Sequence, residues 1–273
     1  MIKFENSKLR MQRFNSFHIF LIVLGGMVLL FIIAPLLGLL LDTSNAEIFE
    51  TLGDDEVMGS ISLTLLVSFF TTLFFSVLSI PLAYLLARKQ FPLRNLVKGI
   101  IDIPVVIPHS AAGIAVLGFI SRDTVLGKLA EEFGISFVGH PIGIGLAMAF
   151  VSVPFLINAA HDGFASVPIR LEKAALNLGA SQVRVFFTIS LPLAWRQIVS
   201  GLVLMFGRGM SEFGAVVIVA YHPIITPVLI YERFGAFGLQ YARPVAVVFI
   251  GVCLIVFVLL RLLSRSTIHT DGS

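Results

Sequence analysis

The sequence predicts an all-α integral membrane protein with about six transmembrane helices and both termini on the cytoplasmic side. Only 13% of the 273 residues are charged, against 57% hydrophobic, whereas soluble domains carry roughly 25% charged residues. Residues 19–41, 57–87, 103–121, 141–160 and 244–260 contain no Asp, Glu, Lys or Arg, and residues 197–220 are apolar apart from Arg208 and Glu212. A helix needs about 20 apolar residues to cross the hydrocarbon core. A β-barrel would instead show alternating segments of about ten residues. The cations give the orientation, because cytoplasmic loops collect Lys and Arg. With the N-terminus inside, the inner segments hold Lys3, Lys8, Arg10, Arg13, Arg88, Lys89, Arg94, Lys98, Arg170, Lys173, Arg184, Arg196, Arg261 and Arg265. The outer loops hold Arg122, Lys128, Arg233 and Arg243, a ratio of 14 to 4.

The elements follow in order. A short basic tail, residues 1–16, precedes the first span, which is too long for a signal-peptide core and is read as a retained helix. The acidic outer loop 42–56, with Asp42, Glu47, Glu50, Asp54, Asp55 and Glu56, reads as solvated. The second span covers about 59–87, and a short basic loop, 88–98, returns the chain. The third span contains Pro104 and Pro108. Each proline removes a backbone donor, so this span is either kinked or broken, and broken backbone at membrane depth survives only inside protein or along a water-filled path. An outer loop, 122–140, leads to the fourth span at 141–160. The fifth span is placed at 197–220 and the sixth at about 244–263, with a helix around 227–234 in the outer segment between them. The lone cysteine, Cys253, rules out a disulfide within one chain. Residues 1–273 read as one domain.

The inner segment 161–196 is unusually long for a loop. Pro168 suits the first turn of a short helix, and Gly179 suits its C-terminal end. Ser181 can cap a second helix over 182–189. Ile169, Leu171, Ala175, Leu176 and Leu178 would supply the packing face of a compact helical knob. Ala174, Ala175, Gly179, Ile189, Leu191 and Pro192 stand at the spacings Ala-Ala, three residues, Gly, nine residues, Ile, one residue, Leu-Pro. This resembles the cytoplasmic signature loop of binding-protein-dependent ABC importer permeases. The family pattern opens on a glutamate, where this chain has Lys173, with Glu172 one place earlier. Residues 206–215, Phe-Gly-Arg-Gly-Met-Ser-Glu-Phe-Gly-Ala, resemble the matching stretch of the molybdate, tungstate and sulfate permeases. Residues 223–243 look closest to archaeal molybdate/tungstate permeases.

The resemblance implies the type I importer permease fold, with residues 161–196 as a coupling loop that docks on a separate ATPase. Glu172, Lys173, Ala174, Ala175, Gly179, Ile189, Leu191 and Pro192 would form the docking element. It implies as partners a second copy of the chain, two ATP-binding cassette subunits carrying ATP and Mg, and an extracytoplasmic binding protein, in a bacterial or archaeal cell membrane. The basic residues need no nucleic-acid partner, since their placement follows the membrane rule. No cofactor is expected on this chain. Its one Gly-Lys pair, Gly127-Lys128, is followed by Leu129 and lacks the rest of a phosphate-binding loop.

Arg208 and Glu212 stand four apart on one helix face. Ionised groups at that depth face the bundle interior or a water path, so the pair is either a packing device or a gate. An oxyanion path needs hydrogen-bond donors, for which His109, Ser110, backbone near Gly113 and Ser211 are candidates beside Pro108. His-Glu-x-x-His and Gly-x-Ser-x-Gly are both absent, which argues against an intramembrane protease or hydrolase. A sulfate permease and an ion-coupled secondary transporter stand as alternatives.

Overall fold

A computed structural model describes residues 16–266, and every described regular element is helical. The tail cations Lys3, Lys8, Arg10 and Arg13 and the polar tail after 266 lie outside the described residues. The chain divides into two units, residues 1–45 and 46–273. The first contains α1 (Ser16–Leu41), with Pro35 inside it. At 26 residues this helix extends about 39 Å, enough to cross a hydrocarbon core of about 30 Å.

The boundary falls at the first residue of α2 (Asn45–Leu52), and the second unit continues into the long α3 (Asp55–Arg88). Asp54 caps α3 by accepting from the Glu56 and Val57 N–H groups, the usual service of an N-cap carboxylate. α4 (Arg94–Val106) and α5 (His109–Ile120) follow, then the short α6 (Val125–Glu132) and α7 (Pro141–Ser166). α8 (Ile169–Asn177) and α9 (Gln182–Val185) lead through a π-helical turn, Phe186–Ser190, into α10 (Leu191–Met210). α11 (Val216–Val219), α12 (Thr226–Phe237) and α13 (Leu239–Ser266) complete the chain. Five helical stretches are long and apolar enough to cross a membrane, or six if α4 and α5 count as one bent span.

α7 is the central helix, packed along α3 on one side and α10 on the other. Small side chains make the approach possible, as in other membrane bundles. α3 turns a stripe of Ser60, Thr64, Ser68, Thr72, Ser76 and Ser79 inward, and Ser68 Oγ donates to Met148 Sδ at 3.4 Å. A Cβ on Gly201 of α10 would lie 2.8 Å from the Ala159 Cβ of α7. One apolar cluster joins Leu86, Ile157, Phe164, Ala194 and Ile198; another joins Val67, Val116, Ile144, Met148 and Val216.

Three sequence expectations change, and the choice left open for the third span is decided. The third span is broken, not kinked: α4 and α5 meet at 113° across Ile107-Pro108. A residue before proline is disfavoured in the helical region, and Ile107 is extended at φ −73°, ψ 152°. Pro104, by contrast, is accommodated inside α4. The fifth span is also broken. Its helix starts earlier than 197, runs continuously from the π turn, and stops at Met210. The acidic outer loop is not simply solvated, since Arg233 of α12 bonds Asp54 Oδ2 at 2.7 Å and Glu56 Oε2 at 2.9 Å. Burial raises the Asp54 carboxyl, but the Arg233 hydrogen bond and charge, with the two backbone N–H groups, outweigh it and hold the group below its usual range. Finally, of the apolar side chains expected to pack the inner knob, Ile169, Leu171, Leu176 and Leu178 point outward and only Ala175 is half-buried.

Candidate functional site

Two clusters lie at the two ends of α10. At the coupling end, α3 finishes on Arg88 and α8 turns Glu172 inward. Arg88 Nε donates to both Glu172 oxygens at 2.8 and 3.0 Å, and Arg88 Nη2 lies 2.7 Å from Oε1. Ser190 Oγ adds a third donor at 2.7 Å, and Arg88 Nη2 also donates to the Val167 carbonyl at 3.1 Å. Both charged side chains are buried, and such a pair persists only when its remaining hydrogen-bonding capacity is met. The π turn aims Ser190 at Glu172. Pro192 has no N–H to continue the helical register, and the Leu191 N–H bonds five residues back, to the Phe186 carbonyl. Tyr84 meets both Phe164 and Phe186 edge-on, and the Arg88 guanidinium lies 6.0 Å from the centre of the Tyr84 ring.

Around this anchor the predicted coupling residues divide. Glu172 is consumed internally. Lys173 and Ala174 are exposed, Ala175 and Ile189 are half-buried, Leu191 packs against the Phe164 cluster, and Pro192 occupies the first turn of α10. Gly179 has φ +87°, the left-handed bend that glycine adopts without cost. Ile169, Leu171, Leu176 and Leu178 are exposed, Leu178 at 89%. Ser181 caps α9 as expected, accepting from the Arg184 N–H at 3.3 Å. Arg88 and Ser190 escaped the sequence reading. The available signal was charge bookkeeping: Glu172 is the sole acid in residues 168–190 and Arg88 closes a charge-free run.

At the far end of α10 the two chain breaks face each other. A Cβ on Gly113 of α5 would fall 2.8 Å from the Ala215 carbonyl, and one on Gly214 would fall 2.7 Å from the His109 Cβ. These glycines let α5 and the segment 211–215 touch backbone to backbone. The contact gathers His109, Arg208 and Glu212. Arg208 Nη2 donates to Glu212 Oε2 at 2.7 Å, and His109 Nδ1 stands 2.8 Å from the same oxygen. Arg208 Nη2 is also 2.9 Å from His109 Nε2. Arg208 Nη2 lies as close to His109 Nδ1, at 2.8 Å, so the imidazole sits edge-on between the guanidinium and the carboxylate. Glu212 Oε1 accepts the Ala215 N–H at 2.8 Å, taking up a backbone donor that the helix break releases.

Exposure across this trio is one-sided. The Glu212 side chain is 1% exposed, Arg208 24% and His109 42%. A solute on the open side meets the Arg208 guanidinium backed by a hidden carboxylate. Ser211 is exposed and bonded to Arg208, accepting from Nη1 at 3.3 Å and donating to the Arg208 carbonyl at 3.1 Å. Ser110 and Pro108 are exposed beside them. The predicted pathway residues thus come together, and the Arg208–Glu212 pair gains a third member in His109. Among the described residues no group of three His, Cys, Asp or Glu side chains could hold a metal ion.

Residues 79–269 match the family of binding-protein-dependent transport system inner membrane components. The chain belongs to that family. This inner membrane component is 39% identical over 251 residues to the molybdate/tungstate transport system permease protein WtpB of Methanocaldococcus jannaschii, covering 92% of this chain and 98% of the relative. It is 40% identical over 253 residues to WtpB of Thermococcus kodakarensis, covering 92% and 97%. The sulfate transport system permease protein CysT of Salmonella typhimurium is 28% identical over 235 residues, covering 84% and 85%. Among solved structures, a chain of a bacterial ABC transporter involved in alginate import superposes with a TM-score of 0.72 at 20% identity, covering 93% of this chain and 97% of that one. The fold is therefore that of an ABC importer permease.

Proposed function

We propose that this chain is the membrane-spanning permease subunit of an ATP-driven importer for a tetrahedral oxyanion, molybdate or tungstate. The observation that carries the reading is the one-sided trio. Arg208 offers donors at the edge of the chain break, while Glu212 cancels the arginine's charge from behind. A dianion needs such donors to shed its water, and it also needs weak net attraction so that it can leave. The names of the WtpB relatives narrow the substrate within the oxyanion class.

Two copies of the chain would enclose the path, with His109, Ser110, Arg208 and Ser211 facing it. An extracytoplasmic binding protein would deliver the anion to the outer loops. Two ATPase subunits holding ATP and Mg would dock on residues 161–196 in a prokaryotic cell membrane. Their closure would draw the two coupling segments together and open the path outward, alternating access by rigid-body motion.

The test is uptake into vesicles holding the complex purified from its native membrane, with its binding protein added outside and ATP enclosed. The expected result is ATP-dependent uptake of molybdate and tungstate that excess sulfate competes for poorly. Uptake driven by an ion gradient without ATP, and abolished by Glu212→Gln, would instead establish the secondary-transporter alternative.

A further inference from the structure

The docking reading says that an ATPase meets residues 161–196; the charges on that surface say what kind of face it must present. Residues 168–190 contain four charged side chains, Arg170, Glu172, Lys173 and Arg184. The acid is turned inward and spent on Arg88 and Ser190. The three cations are exposed. Between them lie the exposed apolar side chains of Leu171, Leu176, Leu178, Val183 and Phe187. A cleft of about 270 Å³ opens between the end of α3 and α8. Its walls include Leu85, Ile169 and Leu176, and the exposed Lys89 and Lys173 stand at its rim. Arg88 and Glu172, already paired, line its interior.

A protein face that combines contiguous apolar side chains with charges of one sign is built for a partner of the opposite sign. Burying cations against an apolar partner would be unfavourable, because an unpaired charge loses its hydration without return. We infer that this surface fits an apolar groove on the ATPase rimmed by carboxylates, one of which enters the cleft against Lys173. The inference rests on the docking reading and adds its polarity. The lysine where the family pattern has glutamate then leaves the outward-facing side of the interface wholly cationic.

The experiment uses the intact complex, purified in mild detergent through a tag on this chain. A carbodiimide, which joins an amine to a carboxylate without a spacer, is expected to link Lys173 to an Asp or Glu of a co-purified subunit whose peptides include a phosphate-binding loop. Lys173→Glu should lower the amount of that subunit retained by at least about tenfold at low salt, Lys173→Met by less, and added salt should shrink the difference between them, as it screens exposed charges. Because Lys173 is exposed and unbonded among the described residues, all variants should elute as folded protein. If the wild-type chain brings down the ATPase but Lys173→Glu brings down just as much, and no carboxylate links to Lys173, docking stands and the polarity is wrong. If the wild type brings down no ATPase, both readings fall together. If the variant's defect appears only in vesicles containing anionic lipid and not in phosphatidylcholine alone, the cations face headgroups and the inference is overturned.

Discussion

Replacing Glu172 with alanine should free the coupling segment from the membrane bundle while leaving the bundle intact. α8 has little else to hold it, since Ile169, Leu171, Leu176 and Leu178 all face outward. The carboxylate receives Arg88 Nε, Arg88 Nη2 and Ser190 Oγ within 2.7–3.0 Å. Its removal strands a buried guanidinium, which typically costs about 3–5 kcal/mol. Each 1.4 kcal/mol is tenfold, so the detached population of α8 should rise by at least about a hundredfold. Hydrogen exchange reads this directly: the α8 amides should lose protection while those of α7 and α3 keep theirs. Glu172→Gln, which retains an acceptor for Ser190, should lose less. The double variant Arg88→Met/Glu172→Met removes both charges and should recover much of the loss, because a buried pair replaced by apolar side chains is often neutral. Exchange in α8 unchanged by Glu172→Ala would refute the anchoring role, and a double variant as damaged as the single would refute its electrostatic origin.

Other perturbations address the remaining features. Gly179→Val should leave membrane insertion intact yet uncouple ATP hydrolysis from uptake, because a β-branched residue at φ +87° costs roughly 1–2 kcal/mol or forces the bend to open; normal coupling in this variant would exclude the bend from docking. Gly113→Val should push α5 away from Ala215 and separate His109 from Glu212, abolishing uptake while the ATPase still co-purifies; retained transport would remove the α5 contact from the path. The Asp54–Arg233 strap should respond to acid. A carboxyl held below its ordinary 3.8 by its partners stabilises the fold fully above that value, and the contribution disappears as pH falls through the lowered folded-state value. Exchange of the α12 amides should therefore rise only below about pH 4, relative to an Asp54→Asn variant that lacks this step.

Much of the fold is legible from one dimension because hydrocarbon demands long charge-free runs. The second span, expected at about 59–87, matches α3 within a few residues, and the outer helix expected at 227–234 lies inside α12. What the sequence conceals is how polar groups are repaid at breaks. Met210 precedes five residues whose backbone groups need partners, and Glu212 supplies one of them to Ala215, three residues on, a local bond that shows only once the helix break is located. The trio was half visible: Arg208 and Glu212 share a spacing, whereas His109 arrives from 99 residues away through a glycine contact that no periodicity encodes. Arg88 and Glu172 stand 84 residues apart and were hidden for the same reason. The outward turn of Leu176 and Leu178 was misjudged because an apolar side chain near water is ordinarily assumed to fold back onto its own chain.

The helix from Gln182 to Met210 is continuous over 29 residues, and this ties the two clusters into one mechanical problem. Between Gln182 and Arg208 a rod of this kind is about 39 Å long, so each degree of tilt at one end displaces the other by about 0.7 Å. Hydrogen bonds of 2.7–2.9 Å at Arg208 cease to exist beyond roughly 3.5 Å. A swing of little more than one degree, if His109 and Glu212 stay behind, is enough to part them. The angular tolerance of the whole assembly is thus set by the reach of one guanidinium, and the π turn near the base of the rod is where its backbone is already out of regular α-helical register.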